Sequence, residues 1–420
     1  MTFSVQSDRN LVRAGVSSVR YALLSFAAPD STRVGSRPPI NVAFVIDRSG
    51  SMGGSKIELA RAAVTQALRM LKAADRFSIV SYDNQVDVVV PSTLATGEAV
   101  RNAVRQVESL QARGSTDLGA GWLKGCEQVA EHLQADGNGL CLLLSDGLAN
   151  HGITDPQELA AHAEALHRRG ITTSCFGIGD DYDERLLAGL AMASAGHFYY
   201  VETPVQIPDY LTSALGEALD IVARDVTVTV RVPEGTTVGT LNRFSLRPNG
   251  AGTVSVSIGD LPARQEVSVV FRLQFPAGDQ GQTVSAVFGI GDAAGALRAP
   301  DADRVWTYAD HEANDTQPRN VVVDRAVAHL YAATAKADAL ELNREGRFDE
   351  ARARLEATAR RIAEYAGQDP ELRAIVAELK ERNDIYSAPM DSRSMKSEYA
   401  ASYNVHRMRN PEGKARRRPN

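Results

Sequence analysis

Residues 16–28, VSSVRYALLSFAA, form a β-branched, half-alternating run, the pattern of a strand with one face in a core. Pro29 and the polar STRVGSRPP stretch interrupt it, which predicts a linker ending near Pro39. From residue 40 the texture changes. Short apolar runs, NVAFVID (41–47), RFSIVSYD (76–83), LCLLLSD (140–146), ITTSCFGIG (171–179) and HFYYVE (197–202), alternate with longer stretches of helical spacing at 57–73, 97–107, 118–133, 156–169 and 183–193. Near-continuous apolar strands separated by helices predict a doubly wound, mostly parallel α/β sheet covered on both faces, over residues 40–222.

Beyond that point the helical period vanishes. VTVTVRV, TVSVSI, EVSVVFRLQF and TVSAVFGIG alternate with turns such as PNGAG and PAGDQG, so residues 223–310 read as an antiparallel β-sandwich. The early strand has no place in the α/β unit. Residues 1–39 are therefore expected to pair with the sandwich, which makes the α/β domain an insertion in it. Residues 320–386 turn rich in Ala, Leu, Glu and Arg with helical spacing, and NREGRFDEA between two such stretches predicts a helical hairpin. Its turn resembles that of a tetratricopeptide repeat, but only one unit is visible, and repeat arrays need about three. The last segment, 387–420, is polar and ends in Lys414, Arg416, Arg417 and Arg418, and is expected to be a basic, disordered tail.

Composition narrows the function classes only slightly. A chain of 420 residues with 44% hydrophobic residues can fill two or three cores. Its net charge of −6 argues against a whole-molecule nucleic-acid binder, whose footprint would be strongly basic. Neither a basic and then apolar leader nor an apolar run of spanning length is visible, so no membrane insertion is expected. Cys126, Cys141 and Cys175 lack a C-x-x-C spacing, and the latter two sit in strand-like runs, which suits buried reduced thiols in a cytoplasmic protein.

The informative segment is Asp47-Arg48-Ser49-Gly50-Ser51-Met52, where a buried strand ends and a helix is about to begin. Ligands of open α/β sheets bind beyond the carboxyl ends of the strands. GSTDL, with Thr116, and LLLSDG, with Asp146, end at the same edge, so five oxygen-bearing side chains can converge from three loops. This set resembles the metal-ion-dependent adhesion site of von Willebrand factor A and integrin inserted domains, D-x-S-x-S with a distant Thr and a distant Asp, and all five positions match. The resemblance spans about residues 40–220 and is similar to a bacterial architecture with a flanking β-sandwich, loosely like inter-α-trypsin inhibitor heavy chains. It implies a Mg²⁺ site, open also to Mn²⁺ or Ca²⁺, formed by Asp47, Ser49, Ser51, Thr116 and Asp146. Mg²⁺ demands octahedral oxygen and keeps several waters. The three hydroxyls can ligate it directly, and the two aspartates can act mainly through bound water. An ion held mostly by neutral groups stays electrophilic towards an outside carboxylate.

Other features have plainer readings. Asp180, Asp181, Asp183 and Glu184 sit where a helix begins and are expected to cap it, and Asp83 reads as a turn residue that could also support the site. His162 and His167 fall on a solvated helix face, and no H-E-x-x-H spacing predicts zinc. Gly53-Gly54-Ser55-Lys56 lacks the G-K-[ST] order of a phosphate loop, and Gly177-x-Gly179 lacks a third glycine at Tyr182. With no G-x-S-x-G elbow, the chain is expected to be a binding module and not an enzyme. The resemblance implies a protein partner presenting Asp or Glu, such as an AAA+ ATPase or a signalling protein. The alternatives are an accessory subunit of a membrane channel or transporter, or a Mg²⁺-dependent hydrolase. A helix over 214–224 that shifts with metal ligation, as in relatives, is a further expectation.

Overall fold

The computed structural model describes residues 3–31, 37–133, 138–250 and 252–418, so part of the expected linker and of the PNGAG turn lies outside the described residues. The chain begins with three strands, β1 (Phe3–Ser7), β2 (Leu11–Arg13) and β3 (Ser18–Ala27). It then forms β4 (Ile40–Asp47), α1 (Ser55–Leu68), β5 (Arg76–Tyr82), β6 (Val86–Leu94), α2 (Gly97–Glu108), α3 (Leu118–Ala130), β7 (Asn138–Ser145), α4 (Pro156–His167), β8 (Ile171–Ile178), α5 (Glu184–Ala193), β9 (Phe198–Val201) and α6 (Ile207–Leu219). These strands assemble in the order β6-β5-β4-β7-β8-β9, all parallel except the edge strand β6. β4 lies in the middle with every residue buried, because an apolar core packs on each face of the sheet. The sequence reading missed β6. Its run VDVVVPSTL contains Pro91, which a sheet tolerates at an edge.

The strands β10 (Ile221–Arg231), β11 (Thr237–Thr240), β12 (Leu246–Pro248), β13 (Thr253–Pro262), β14 (Glu266–Phe275), β15 (Thr283–Gly291) and β16 (Ala302–Ala309) follow. They form two sheets, β1-β3-β14-β11 and β12-β13-β10-β15-β16-β2, around one core that includes Leu24, Phe271, Phe288 and Trp306. β3 pairs with β14 over its whole length, from Ser18 opposite Phe275 to Ala27 opposite Glu266. The first strands are thus part of the sandwich, and the α/β domain leaves and re-enters it. Two details differ from expectation: β2 and β16 run parallel within an otherwise antiparallel arrangement, and β10 already begins at Ile221. The stretch 214–224 is accordingly split between the end of α6 and this strand.

The C-terminal part corrects two expectations. After α7 (His311–Thr316) the expected hairpin is a three-helix unit, α8 (Val321–Arg344), α9 (Phe348–Ala366) and α10 (Pro370–Tyr386). Gly367, at φ 50°, ends α9, and the Asp369 carboxylate accepts from Leu372 N at 3.0 Å to start the third helix, with Pro370 in its first turn. The tail is not a disordered segment either. It forms α11 (Ser392–His406), capped by Asp391, whose Tyr399 and Tyr403 rings pack edge-on against Phe198 of β9. Four basic residues at its end meet carboxylates: Arg409 pairs with Glu217, Lys414 with Asp209, Arg417 with Asp220 and Arg418 with Glu266. Composition registers a polar, charged segment; it cannot register that each of these charges has a waiting partner.

Lys396 is the firmest of these anchors. It is 6% exposed, ion-paired to Glu184 at 2.9 Å, and lies 4.6 Å from the centre of the Tyr182 ring. Although burial works the other way, Lys396 and the neighbouring Arg344 hold the Glu184 carboxyl below its usual range. Lys396→Ala is expected to cost about 2–3 kcal/mol, below the full penalty of a broken buried pair because Arg344 remains on Glu184. A shift in denaturant midpoint measures it; a variant as stable as the parent would show that α11 docks without this pair.

Candidate functional site

The expected residues sit where β4 and β7 end and where α3 is about to begin. Asp47 closes β4 and is fully buried, and both its oxygens are engaged: Oδ1 accepts from Ser49 N and Oδ2 from the Ser145 hydroxyl, each at 2.8 Å. Burial pushes its carboxyl up to about 6. The Ser49 and Ser51 hydroxyls lie 3.1 Å apart, and Ser51 Oγ donates to Asp146 Oδ1 at 2.7 Å. Asp146, also fully buried, pairs through Oδ2 with the Lys56 ammonium. Thr116 is 5% exposed, and its hydroxyl lies 3.0 Å from where a Cβ on Gly147 would sit. Asp47, Ser49, Ser51 and Asp146 are thus joined by hydrogen bonds, and Thr116 lies against the residue that follows Asp146.

The loops that carry them are tied together through their backbones. Gly50 N donates to Gly114 O at 3.0 Å, Arg113 N to Arg48 O at 2.6 Å, and Asp117 N to Asp83 O at 2.8 Å. Asp83, 1% exposed, receives Arg48 at 3.0 Å and Arg113 at 2.7 Å, and these guanidiniums hold its carboxyl low against the effect of burial. A residue that reads as a turn former therefore bolts the β4 and α3 loops to each other. Asp117 in turn caps α3, accepting from Ala120 N at 3.0 Å.

Lys56, Ser145 and the Arg48–Arg113 pair escaped the sequence reading. Lys56 did leave a signal. A lysine in the first turn of a helix faces the positive end of the macrodipole and is disfavoured there unless a carboxylate compensates. Asp146 supplies that carboxylate. Of the groups set aside, Asp183 caps α5, accepting from Arg185 N and Leu186 N, while His162 is exposed and His167 lies 3.7 Å from Asp225. The three cysteines are buried and free.

Two buried carboxylates with one ammonium, paired to Asp146, carry excess negative charge, and the hydroxyls of Ser49 and Ser51 extend the set of oxygen donors towards the mouth of the loops. A hard divalent cation fits this chemistry, since Mg²⁺ takes oxygen ligands and keeps water. Gly147→Ala is expected to push the Thr116 hydroxyl aside by a few tenths of an ångström. Divalent-ion affinity should fall about tenfold with little loss of stability; unchanged affinity in a calorimetric titration would remove Thr116 from the donor set.

Open α/β sheets bind ligands beyond the carboxyl ends of their strands, which is where this loop cluster lies. Residues 41–213 form a von Willebrand factor type A domain: the sequence profile of that domain matches over this span. The chain is 29% identical over 243 residues to the uncharacterized protein YfbK of Escherichia coli, covering 56% of this chain and 42% of that one. It is also 29% identical over 195 residues to the bovine inter-alpha-trypsin inhibitor heavy chain H4, covering 45% and 21%. The chain thus spans less than half the length of these relatives. The solved von Willebrand factor type A protein of Catenulispora acidiphila shares the fold over 91% of this chain and 96% of its own, with TM-score 0.69 and 20% identity. Domains of this type commonly serve as protein-interaction and adhesion modules, and typically bind a divalent metal. Among the described residues no helix is long and apolar enough to cross a membrane.

Proposed function

We propose that the chain is a Mg²⁺-dependent binding module that captures an Asp or Glu side chain of a partner protein, with Asp47, Ser49, Ser51, Thr116 and Asp146 holding the ion. The observation that carries this reading is the pairing of two fully buried aspartates with a run of hydroxyls that reaches solvent at Ser51. When bound, the ion offers a coordination position to an outside carboxylate. The chain's own part is to hold the donors rigid: the backbone bonds between the β4 and α3 loops, and Asp83 between two arginines, fix them before a ligand arrives. A binding role fits hydroxyls that bond to each other and to Asp146 in one chain of oxygen donors. Three buried, free thiols suit a cytoplasmic setting.

Affinity capture from native lysate tests the reading, with the intact chain in Mg²⁺, in EDTA, and as Thr116→Ala. The expected result is a protein retained only by the parent chain in Mg²⁺ and released by millimolar glutarate, a soluble carboxylate competitor. Retention that ignores both metal and competitor would contradict it.

A further inference from the structure

A cleft of about 1280 Å³ lies between the α/β domain and the sandwich. The end of α4, the start of β8, the end of α5, the first residues of β10, the β11–β12 loop, β13 and the end of α11 enclose it. Since α4 leads into the start of β8, the cleft sits at the amino edge of the parallel sheet. The loop cluster of Asp47 and Asp146 is at the opposite edge, roughly 25 Å away at about 3.3 Å per strand residue. The two places are separate.

Six arginines line the cleft, Arg168, Arg169, Arg224, Arg243, Arg247 and Arg407, against three acidic residues, Glu164, Asp225 and Asp260. Two of these acids are already engaged, Glu164 with Arg247 at 3.4 Å and Asp225 with His167 at 3.7 Å. Asp260 receives Asp225 N at 3.0 Å and has the Arg224 charge set against it, while burial raises its carboxyl. Arg243 finds its partner outside, in Asp338 at 3.1 Å. Arg168, Arg169 and Arg407 form no ion pair among the described residues. Arg407 stacks instead over the Phe244 ring, 5.3 Å from its centre.

The simple explanation of these arginines is that they meet helix C-termini, since Arg168 caps α4 and Arg407 caps α11. Magnitudes decide against that explanation as a complete one. Each helix end offers roughly half a negative charge, so two ends leave about two of the three guanidinium charges uncompensated. The unpaired arginines come from two separate elements, the end of α4 and the end of α11, and a ligand with several anionic groups can engage both. Guanidinium forks match phosphate oxygens in paired hydrogen bonds, and the exposed hydroxyls of Ser245 and Ser257 add donors on the sandwich side.

We propose that this cleft binds an oligophosphate, either free or as the phosphate chain of a nucleotide, with Arg407 on one side and Arg168 and Arg169 on the other. Isothermal titration of the full chain with inorganic tripolyphosphate, and separately with ATP, tests it, in EDTA and at about 0.15 M salt so that loose surface charge is screened. Saturable one-to-one binding is expected. Arg407→Gln should weaken it about tenfold or more, as loss of a charge-assisted pair of hydrogen bonds does. The double variant Arg168→Gln, Arg169→Gln changes only exposed side chains, and should weaken it comparably while the fold is kept. Equal affinity for the two ligands would support a site that reads the phosphate chain alone; tighter ATP binding would support one that also seats a base against Met192 and Phe244. Absence of binding by both ligands in the millimolar range would overturn the proposal, and so would binding that neither variant alters.

Discussion

Asp146→Ala is expected to weaken Mg²⁺ binding by at least about a hundredfold while leaving the chain folded. Asp146 carries one of only two carboxylates in the proposed donor set, and a hundredfold corresponds to about 2.7 kcal/mol, modest for the loss of a full charge beside a divalent ion. The fold should survive because the partners left behind can turn to water: Ser51 is exposed and the Lys56 side chain is 22% exposed. Asp47 is a poorer choice for this purpose. It is enclosed by Ser49 and Ser145, and its removal would leave the Ser145 hydroxyl without its carboxylate acceptor. Calorimetric titration with Mg²⁺, beside circular dichroism of both proteins, separates the two effects. Affinity within about threefold of the parent would place the ion elsewhere.

The second large effect concerns the architecture that carries the site. Trp306→Ala is expected to destabilise the chain by about 3–5 kcal/mol, the usual cost of emptying a large aromatic position in a core. Trp306 is fully buried on β16, its ring 5.0 Å from that of Phe275, and its indole N–H donates to Ser7 Oγ at 2.8 Å and to Arg9 O at 3.0 Å. It therefore ties the first strands of the chain to the last strand of the sandwich, on either side of the α/β domain. A denaturant midpoint reports the loss. A change under about 1 kcal/mol would mean that the segment before β4 contributes little to the sandwich core.

Much of this fold was legible because its signals are local. The strands of the α/β domain are runs such as NVAFVID and LCLLLSD, apolar throughout because both faces are covered, and the helices between them carry their own period. The convergence of Asp47, Ser49, Ser51, Thr116 and Asp146 was legible for the same reason: each stands near the end of a strand or the start of a helix, so topology alone sends them to one sheet edge. What escaped depends on contacts between distant parts of the chain. α11 carries its apolar stripe, Tyr399 and Tyr403, within a polar segment, and it packs against Phe198 of β9 and pairs Lys396 with Glu184 of α5. β6 was hidden by Pro91, and the third helix of the C-terminal unit by a proline that begins a helix as readily as it ends one. Within the site, the Lys56–Asp146 and Arg48–Asp83 pairs join residues 90 and 35 positions apart, a separation no local pattern records.

Whether five oxygen-bearing side chains at one sheet edge hold a single divalent ion is decided by titrating the full chain with Mn²⁺ and counting bound ions by electron paramagnetic resonance. One bound Mn²⁺ per chain is expected, displaced by Mg²⁺ and lost in Asp146→Ala. A chain that binds no Mn²⁺ at millimolar concentration, or a variant that binds it as the parent does, would contradict it.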